Sequence, residues 1–333
     1  MKATCKIIAV LAALAAVPAL ARPGDTTVLR WEGGARACFL LMFDDGWPSA
    51  WQVAMPELAR RGLAATYYIV PQKGEYKVFE KKWIEHACDP GVLYGNHTMH
   101  HSEVRDYEHA KSEIGGVCDY IRSVQTNRAH KLVSWAQPGL KPGCWAISKE
   151  DFARIEREYR LVSRPDFKDH GAVYHLQTCE QMMKLVDKAL AEGGMEYVIF
   201  HGLEIKDPKR GWQDFWAMKQ DVCFPFFDNL AELRRKGDLW VTDHISCHQY
   251  DTERSSARVT AAKTAAGYTV ELTSDADPAL YDYPLTLETE VPARAKKAKV
   301  VQGGRPPVVV PVADGRIRYP AVPGAGRISI VLK

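Results

Sequence analysis

Short apolar runs alternate with amphipathic helical patterns between Cys38 and about Tyr250. Three helical patterns occur, over about 103–124, from Thr178 onwards, and around 226–233. The strand-like runs are rich in branched and aromatic residues, and they span 38–43, 65–70, 131–136, 159–163, 196–200 and 239–243. Strands that alternate with helices predict parallel pairing, either as a barrel or as an open sheet.

The pattern changes after about residue 254. Short alternating runs follow one another up to residue 333, separated by Gly, Pro and Asp-Gly turns and without a helical period. This spacing is typical of antiparallel β-structure. We therefore predict a larger α/β domain over 22–254, as a barrel or an open sheet, and a small β-rich C-terminal domain over 255–333.

The N-terminus has the pattern of a cleavable signal peptide. Lys2 and Lys6 precede an apolar run over 7–20, which ends in Ala-Leu-Ala at 19–21. The run is too short for a comfortable transmembrane span. We expect cleavage after Ala21, which predicts a secreted or periplasmic protein without a transmembrane segment.

Composition and charge are those of a globular protein: of the 333 residues, 46% are hydrophobic and 26% charged. Loss of Lys2 and Lys6 would lower the net charge from +3 to +1, which gives no electrostatic reason to bind nucleic acid. Seven cysteines follow the predicted signal peptide, without a C-x-x-C pair, so at least one stays outside any intrachain disulfide. Nothing in the sequence indicates the oligomeric state.

Two adjacent aspartates close the first strand-like run of the barrel. Asp44 and Asp45, followed by Gly46, come directly after residues 38–43. The carboxyl ends of parallel strands are where active sites gather in α/β folds. A solvated turn is the alternative, but it explains one aspartate and the glycine more readily than two charges.

Two further features carry imidazoles. His97 and His101, in GNHTMHH, are four residues apart, and on a helix this spacing would put both rings on one face, near enough to bind one metal ion. His100 would point elsewhere, and a surface histidine cluster is the alternative. His201 directly follows the strand-like run 196–200, where a buried structural histidine is the alternative.

These features together describe a catalytic site. Asp45, His97 and His101 would form a two-histidine, one-carboxylate site, which leaves a position for water as catalytic zinc requires. Asp44 would then be free to accept a proton, and His201 could donate one to a leaving group. The set predicts metal-assisted hydrolysis of an acyl bond.

Three segments resemble the motifs of one known family in the same order. They are M-F-D-D-G at 42–46, H-T-M-H-H at 97–101 and I-F-H-G at 199–202. The sequence is similar over about 35–250 to the polysaccharide deacetylase superfamily, carbohydrate esterase family four. That family's motifs are T-F-D-D-G, H-[S/T]-x-x-H, an R-x-P-containing loop and a late apolar strand that ends in His.

The resemblance implies a fold and a set of roles. The fold would be a distorted (β/α) barrel of the polysaccharide deacetylase type, here followed by the small all-β C-terminal domain. Asp44 would be the general base and His201 the general acid. Asp45, His97 and His101 would bind one divalent metal ion, zinc or else cobalt or nickel.

The third motif departs from the family pattern. Pro138 matches the family proline, but Ala136 stands where the arginine that orients the base usually lies. Arg164, just after the run 159–163, is predicted to take that place, and a surface arginine is the alternative. Gly139 matches the position whose N–H would stabilise the oxyanion. Gly202 replaces a frequent aspartate, and the family's fourth motif has no convincing match.

Two remaining features concern aromatic rings and a second histidine pair. Trp47 and Trp212 are predicted to line a sugar-binding groove, because flat sugar faces stack on such rings. His244 and His248 are also four apart, but their segment resembles the last helix of a barrel, and a helix face is preferred to a second metal site.

The function predicted from the sequence is that of an exported, metal-dependent carbohydrate deacetylase. Its substrate would be an acetylated carbohydrate that loses either N-acetyl groups from amino sugars or O-acetyl groups from a hemicellulose such as xylan. One alternative is a hydrolase of another C–N bond, such as a cyclic amide. The other is a carbohydrate-binding protein with a decayed site, which Ala136 favours and the five retained site residues oppose.

Overall fold

The computed structural model of the protein describes residues 22–165, 176–207, 209 and 213–333. The predicted signal peptide, 1–21, and Trp212 lie outside these residues. In the part described, no helix has both the length and the apolar character needed to cross a membrane.

Seven parallel strands form the sheet of the larger domain. They are β2 (Ala37–Phe43), β3 (Ala65–Ile69), β4 (Val92–Asn96), β5 (Val133–Trp135), β6 (Leu161–Ser163), β7 (Met195–Phe200) and β8 (Leu239–Thr242). Their order is β6-β5-β4-β3-β2-β7, and β8 pairs with the first half of β2 while β3 pairs with its end. The predicted distorted (β/α) barrel is confirmed.

Helices connect these strands. They are α1 (Met55–Arg60), α2 (Gly74–Val78), α3 (Glu80–His86), α4 (Tyr107–Ala110), α5 (Gly116–Val124), α6 (Lys149–Tyr159), α7 (Cys179–Glu192), α8 (Gln220–Lys236) and α9 (His244–Ser255). A 3-10 turn covers Glu32–Gly34, and π-helical turns cover Ala50–Ala54 and Lys111–Gly115. A capping box begins α7, because the Thr178 side chain accepts from the Gln181 N–H and the Gln181 side chain accepts from the Thr178 N–H.

Two predictions along this region were wrong in detail. The helix predicted over 103–124 begins only at Tyr107, because Asp106 caps it, and a π-helical turn interrupts it. Strand β4 was missed, since its sequence VLYGN is short and turns polar before its end. That strand delivers His97 to the site, so its position matters for function.

The C-terminal region is all β, as predicted. Its strands are β9 (Arg258–Lys263), β10 (Gly267–Thr273), β11 (Leu285–Glu290), β12 (Lys297–Gln302), β13 (Val308–Pro311), β14 (Arg316–Ala321) and β15 (Ile328–Leu332). They form a five-stranded antiparallel sheet, β13-β12-β15-β10-β9, and a three-stranded sheet that includes β1 (Thr26–Val28) in the order β1-β11-β14. The first strand, β1, thus belongs to a sheet of the C-terminal region and precedes the barrel in the chain. The domain boundaries 22–254 and 255–333 stay a prediction.

Strand β2 is buried along its whole length and packs on both faces. Phe39, Leu41 and Phe43 join the apolar cluster under the helices. The alternate side chains of β2 join a second cluster that reaches Tyr250 of α9 and Tyr268 of β10. A strand covered on both faces has a continuous apolar sequence, which is why 38–43 reads as one run. Packing on both sides fixes the end of β2, where the aspartates lie.

The described cysteines are all free thiols. Two of these thiols contact each other across the packing of α9 on the sheet. Cys38 Sγ on β2 lies 3.5 Å from Cys247 Sγ on α9. Both thiols are buried in the second apolar cluster.

Glu253 of α9 gives the fold a testable pH dependence. Its carboxylate is buried and accepts a hydrogen bond from the Tyr283 N–H at 2.9 Å. Burial raises the pKa of Glu253 to about 7. Because the folded state holds the proton more tightly than the unfolded chain, stability falls as the pH rises from about 4.5 to about 7.

We expect Glu253→Gln, which keeps the accepting oxygen, to raise the free energy of unfolding at pH 8 by roughly 1–2 kcal/mol. At pH 4 the difference from the wild type should vanish. Urea unfolding at both pH values measures this, with Glu271→Gln as the control, since that carboxylate is 59% exposed. A difference that does not change with pH would contradict the prediction.

Candidate functional site

The two aspartates and His201 lie at one edge of the sheet because β2 and β7 end in register. Phe43 pairs with Phe200, and the Asp44 N–H donates to the Phe200 carbonyl at 2.9 Å. Asp45 and Gly46 then adopt left-handed backbone conformations, with φ of 70° and 69°. This turn sends the two adjacent carboxylates towards different partners.

The histidine pair comes from a tight turn after β4, so the helix geometry considered for the four-residue spacing does not apply here. The Asn96 side-chain oxygen accepts from the Thr98 N–H at 3.0 Å, and the Thr98 hydroxyl accepts from the His101 N–H at 3.0 Å. Thr98 and His101 both have positive φ, which a helix does not allow. His100 points away, as predicted, and contacts Glu113 of the helical segment at 2.6 Å.

Asp45, His97 and His101 converge around one point. Asp45 Oδ1 lies 3.1 Å from His101 Nε2 and 3.6 Å from His97 Nε2, and one ligand atom from each residue lies within 4.8 Å of the other two. Among the described residues this is the one such group of three, and Asp45 Oδ1 is buried there without a hydrogen-bond partner. A buried carboxylate oxygen facing two imidazole nitrogens is the donor set that a divalent cation needs, so the residues fit a metal ion.

Neighbouring groups orient these three side chains. His97 Nδ1 lies 2.8 Å from the Ala136 carbonyl, so Nδ1 carries the proton and Nε2 offers its lone pair towards Asp45. Burial lowers the pKa of His97 to about 4, which keeps the imidazole neutral. The Trp47 indole N–H donates to Asp45 Oδ2 at 3.3 Å, and Lys73 Nζ lies 3.4 Å from Asp45 Oδ1.

Asp44 makes a bidentate ion pair with Arg164. The two guanidinium nitrogens lie 2.6 and 2.9 Å from its two carboxylate oxygens, and the side chains are 7% and 3% exposed for Arg164 and Asp44 respectively. Burial alone would raise the pKa of Asp44, but Arg164, with His97 and His201 nearby, outweighs it, so the pKa of Asp44 lies below its ordinary value. The side chain of Ala136 cannot make this contact, and Arg164 makes it from the end of β6.

The Arg164 guanidinium is held in place by an aromatic ring. It lies over the ring of Tyr68, 4.7 Å from the centroid. The Tyr68 hydroxyl is 2.8 Å from Ser134 Oγ, which is 2.7 Å from His244 Nδ1. Sequence spacing could not reveal this chain of contacts, because it joins β3, β5, β6 and α9.

His201 directly follows the end of β7, next to the strand that ends at Asp44, and is 8% exposed. Burial lowers its pKa, while Asp44 and Asp45 act in the opposite direction. Its ring meets the rings of Phe215 and Trp216 edge to face, at centroid distances of 5.5 and 5.0 Å. These two aromatics were not among the predicted site residues, since no motif ties them to His201.

The remaining predicted residues lie around this centre. Trp47 stacks on Phe215 at 6.1 Å. Pro138 is buried and Gly139 exposed in the loop that follows β5. The predicted oxyanion role of Gly139 stays a prediction, as do the catalytic and binding roles of the other site residues.

The second histidine pair lies on a helix, as preferred from the sequence. Asp243 caps α9 by accepting the Ser246 N–H. His244 is hydrogen-bonded to Ser134, and His248 Nε2 lies 3.1 Å from the Tyr281 hydroxyl. Both imidazoles thus have structural partners.

Comparisons with known proteins agree with the motifs. Residues 33–141 match the model of the polysaccharide deacetylase family, which confirms the resemblance inferred from the sequence. A gellan lyase from Bacillus sp. is 33% identical over an alignment 340 residues long, which covers 92% of this chain. The chain spans only 13% of the length of that protein.

Solved structures show a weaker overall similarity. The family 4 carbohydrate esterase from Streptomyces lividans, in complex with acetate, has a TM-score of 0.44 and 17% identity and covers 64% of this chain and 95% of its own. The peptidoglycan deacetylase PdaC from Bacillus subtilis has a TM-score of 0.42 and 14% identity, and covers 64% of this chain and 90% of its own. No conclusion about substrate follows from similarities at this level.

Metal binding directly tests the group formed by Asp45, His97 and His101. We expect His101→Ala to lower the affinity for Zn²⁺ by at least about 100-fold, because it removes a ligand rather than a neighbour of one. Competition with a chromophoric chelator measures the affinity. His248→Ala is the matched control, since it belongs to the other pair with the same spacing, and equal effects of the two substitutions would contradict the assignment.

The ion pair makes a separate prediction about stability. We expect Arg164→Met to lower the free energy of unfolding by about 3–5 kcal/mol at neutral pH, because Asp44 is then buried without a cation. Adding Asp44→Asn should recover most of the loss. Denaturant unfolding in the presence of a chelator measures both.

Arg258→Met is the matched control for a lost arginine, since Arg258 and its partner Asp275 are 65% and 60% exposed. It should cost less than about 1 kcal/mol. If Arg164→Met costs no more than Arg258→Met, the buried pair does not stabilise the site as described.

Proposed function

We propose that this protein is an exported, divalent-metal-dependent hydrolase that removes acetyl groups from a carbohydrate. Zn²⁺ is the proposed metal, with Co²⁺ or Ni²⁺ able to occupy the same ligands. The substrate is an acetylated polysaccharide or oligosaccharide, with the acetyl group on nitrogen or on oxygen. Cleavage of the predicted signal peptide would release the protein to the periplasm or the medium.

One observation carries this proposal. Three metal-ligating side chains lie beside a second carboxylate, that of Asp44, which is held by Arg164 and is not part of the ligand cluster. A structural metal site has no need of an additional buried, ionised carboxylate next to its ligands. A hydrolytic site needs one, because the attacking water must lose a proton.

The side chains divide the chemistry between them. A divalent ion bound by Asp45, His97 and His101 would polarise the acetyl carbonyl and acidify a water molecule. Asp44, which Arg164 keeps ionised and fixed in orientation, accepts the proton of the attacking water. His201 gives a proton to the departing sugar nitrogen or oxygen, and the N–H of Gly139 is proposed to stabilise the oxyanion.

The alternative of a decayed site loses its main argument. Ala136 favoured it because the arginine that should hold the base was missing from that position. The 2.6 and 2.9 Å contacts from Arg164 to Asp44 provide a bidentate cation from another strand end. This supports a working base and thus the enzyme.

The matched gellan lyase segment also supports a role on polysaccharides. Because this chain corresponds to 13% of that protein, its lyase activity is not transferred to this chain. The β-rich C-terminal region is proposed to pack against the barrel, as its share in the second apolar cluster supports.

Acetate release tests the function. Acetylated xylan and N-acetylglucosamine oligomers are incubated with the protein lacking residues 1–21, with and without a chelator. We expect release that stops with the chelator and that falls by about 10²–10⁴-fold in Asp44→Asn, the usual loss for a general base. Asp44→Asn should still bind Zn²⁺, since Asp44 is not a proposed ligand.

The control is Asp119→Asn on α5, whose side chain is 74% exposed, and its activity should match the wild type. Metal binding without acetate release from either substrate would contradict the deacetylase. It would favour a binding protein or a hydrolase of another amide.

A further inference from the structure

Three aromatic rings form a continuous surface beside His201. Trp47 stacks on Phe215 with centroids 6.1 Å apart, and Phe215 stacks on Trp216 at 4.2 Å. Phe215 and Trp216 are 45% and 46% exposed, while the other exposed large apolar side chains of the described residues are aliphatic. We call Trp47, Phe215 and Trp216 the aromatic platform.

The backbone holds this platform against the end of β7. The Met218 N–H donates to the Gly202 carbonyl at 2.9 Å, and the Glu204 N–H donates to the Met218 carbonyl at 2.8 Å. The buried Asp214 carboxylate accepts the Ser49 N–H at 2.6 Å. The segment that carries Phe215 and Trp216 is therefore tied to β7 and to the turn after β2.

Gly202 explains how the platform comes so close. A Cβ at this position would lie 2.6 Å from the Asp214 Cβ and 3.2 Å from the Phe215 carbonyl oxygen, so any side chain would push the segment away. The aspartate that is frequent after the histidine in the similar family could not fit here. Trp216 adopts a φ of 46°, which is unfavourable for a residue with a large side chain. The backbone contacts of this segment hold it in that conformation.

The position of the platform defines what it can bind. In the proposed reaction His201 protonates the leaving group, and in a deacetylation the leaving group is the sugar itself. The sugar must therefore lie on the His201 side of the site. The rings of Phe215 and Trp216 contact His201 edge to face on that side.

We propose that the aromatic platform is the subsite for the sugar ring that bears the acetyl group. This inference rests on the proposed function and adds the recognition surface to it. An exposed ring stack binds the face of a pyranose through its C–H groups. Rings with equatorial substituents, such as N-acetylglucosamine and xylose, carry their axial C–H groups on both faces and so present such a surface.

Binding without turnover tests the platform separately from catalysis. Tetramers of N-acetylglucosamine and of acetylated xylose are titrated into the protein by calorimetry with a chelator present. Phe215→Leu and Trp216→Leu keep an apolar side chain and remove the ring, whereas Phe215→Tyr and Trp216→Phe keep a ring. We expect the leucine variants to raise the Kd of the better-bound tetramer by about 3- to 10-fold and the ring-keeping variants to stay within about 2-fold.

Val309→Ala is the control, because Val309 is 63% exposed on β13 and is not part of the platform. Its Kd should equal that of the wild type. The proposal is overturned if the leucine and ring-keeping variants behave alike, or if the wild type binds neither tetramer. Ring-dependent binding in a protein that releases no acetate would support the platform and reject the deacetylase. Acetate release by a protein whose binding does not depend on these rings would support the deacetylase and reject the platform.

Discussion

Two adjacent carboxylates at the buried end of a strand are the constraint on which the site depends. Asp44 and Asp45 are 3% and 9% exposed, and each ionised group needs a compensating positive partner because burial alone favours neutral acids. The left-handed backbone conformation of Asp45 directs the two carboxylates towards different partners. Asp44 receives the Arg164 guanidinium, and Asp45 faces two imidazoles, a lysine and the position of a cation.

These different partners suit the two aspartates to the different roles proposed for them, Asp44 as the general base and Asp45 as a metal ligand. A carboxylate bound on both oxygens by an arginine is held in one orientation, ionised, and kept apart from the neighbouring metal ligands. A carboxylate whose Oδ1 is buried without a hydrogen bond is suited to a metal ion instead. The two adjacent carboxylates thus have different surroundings, because the backbone turns between them and the neighbouring strands bring different partners to each.

The Arg164 contact also shows that a guanidinium can reach Asp44 from a strand end other than the one that carries Ala136. The end of β5 carries Ala136, whose carbonyl orients His97, while the adjacent strand β6 ends at the arginine that contacts Asp44. Parallel strands deliver their carboxyl ends to the same edge, so a guanidinium from a neighbouring strand can reach the same carboxylate. Tyr68 then provides the surface on which that guanidinium lies.

The sequence by itself indicated the parallel sheet, the three candidate metal ligands and the candidate base and acid. Each is written in a local pattern: the apolar run of β2 ends in Asp44 and Asp45, and His97 and His101 keep a fixed spacing. Local patterns carry such information because strand burial and short ligand spacings act over a few residues. The spacing did not decide the backbone around His97, since four residues fit a helix and also the turn that Asn96 and Thr98 form.

Only the tertiary structure decided which distant residues complete the site. Arg164 lies 120 residues from Asp44, and Phe215 reaches Trp47 only because Gly202 leaves room for its segment. No local period records such contacts, since they arise where separate strand ends meet at one edge of the sheet. The entry of β1 into the C-terminal β-structure is a further case, because pairing between Thr26 and Thr289 depends on how the whole chain folds back.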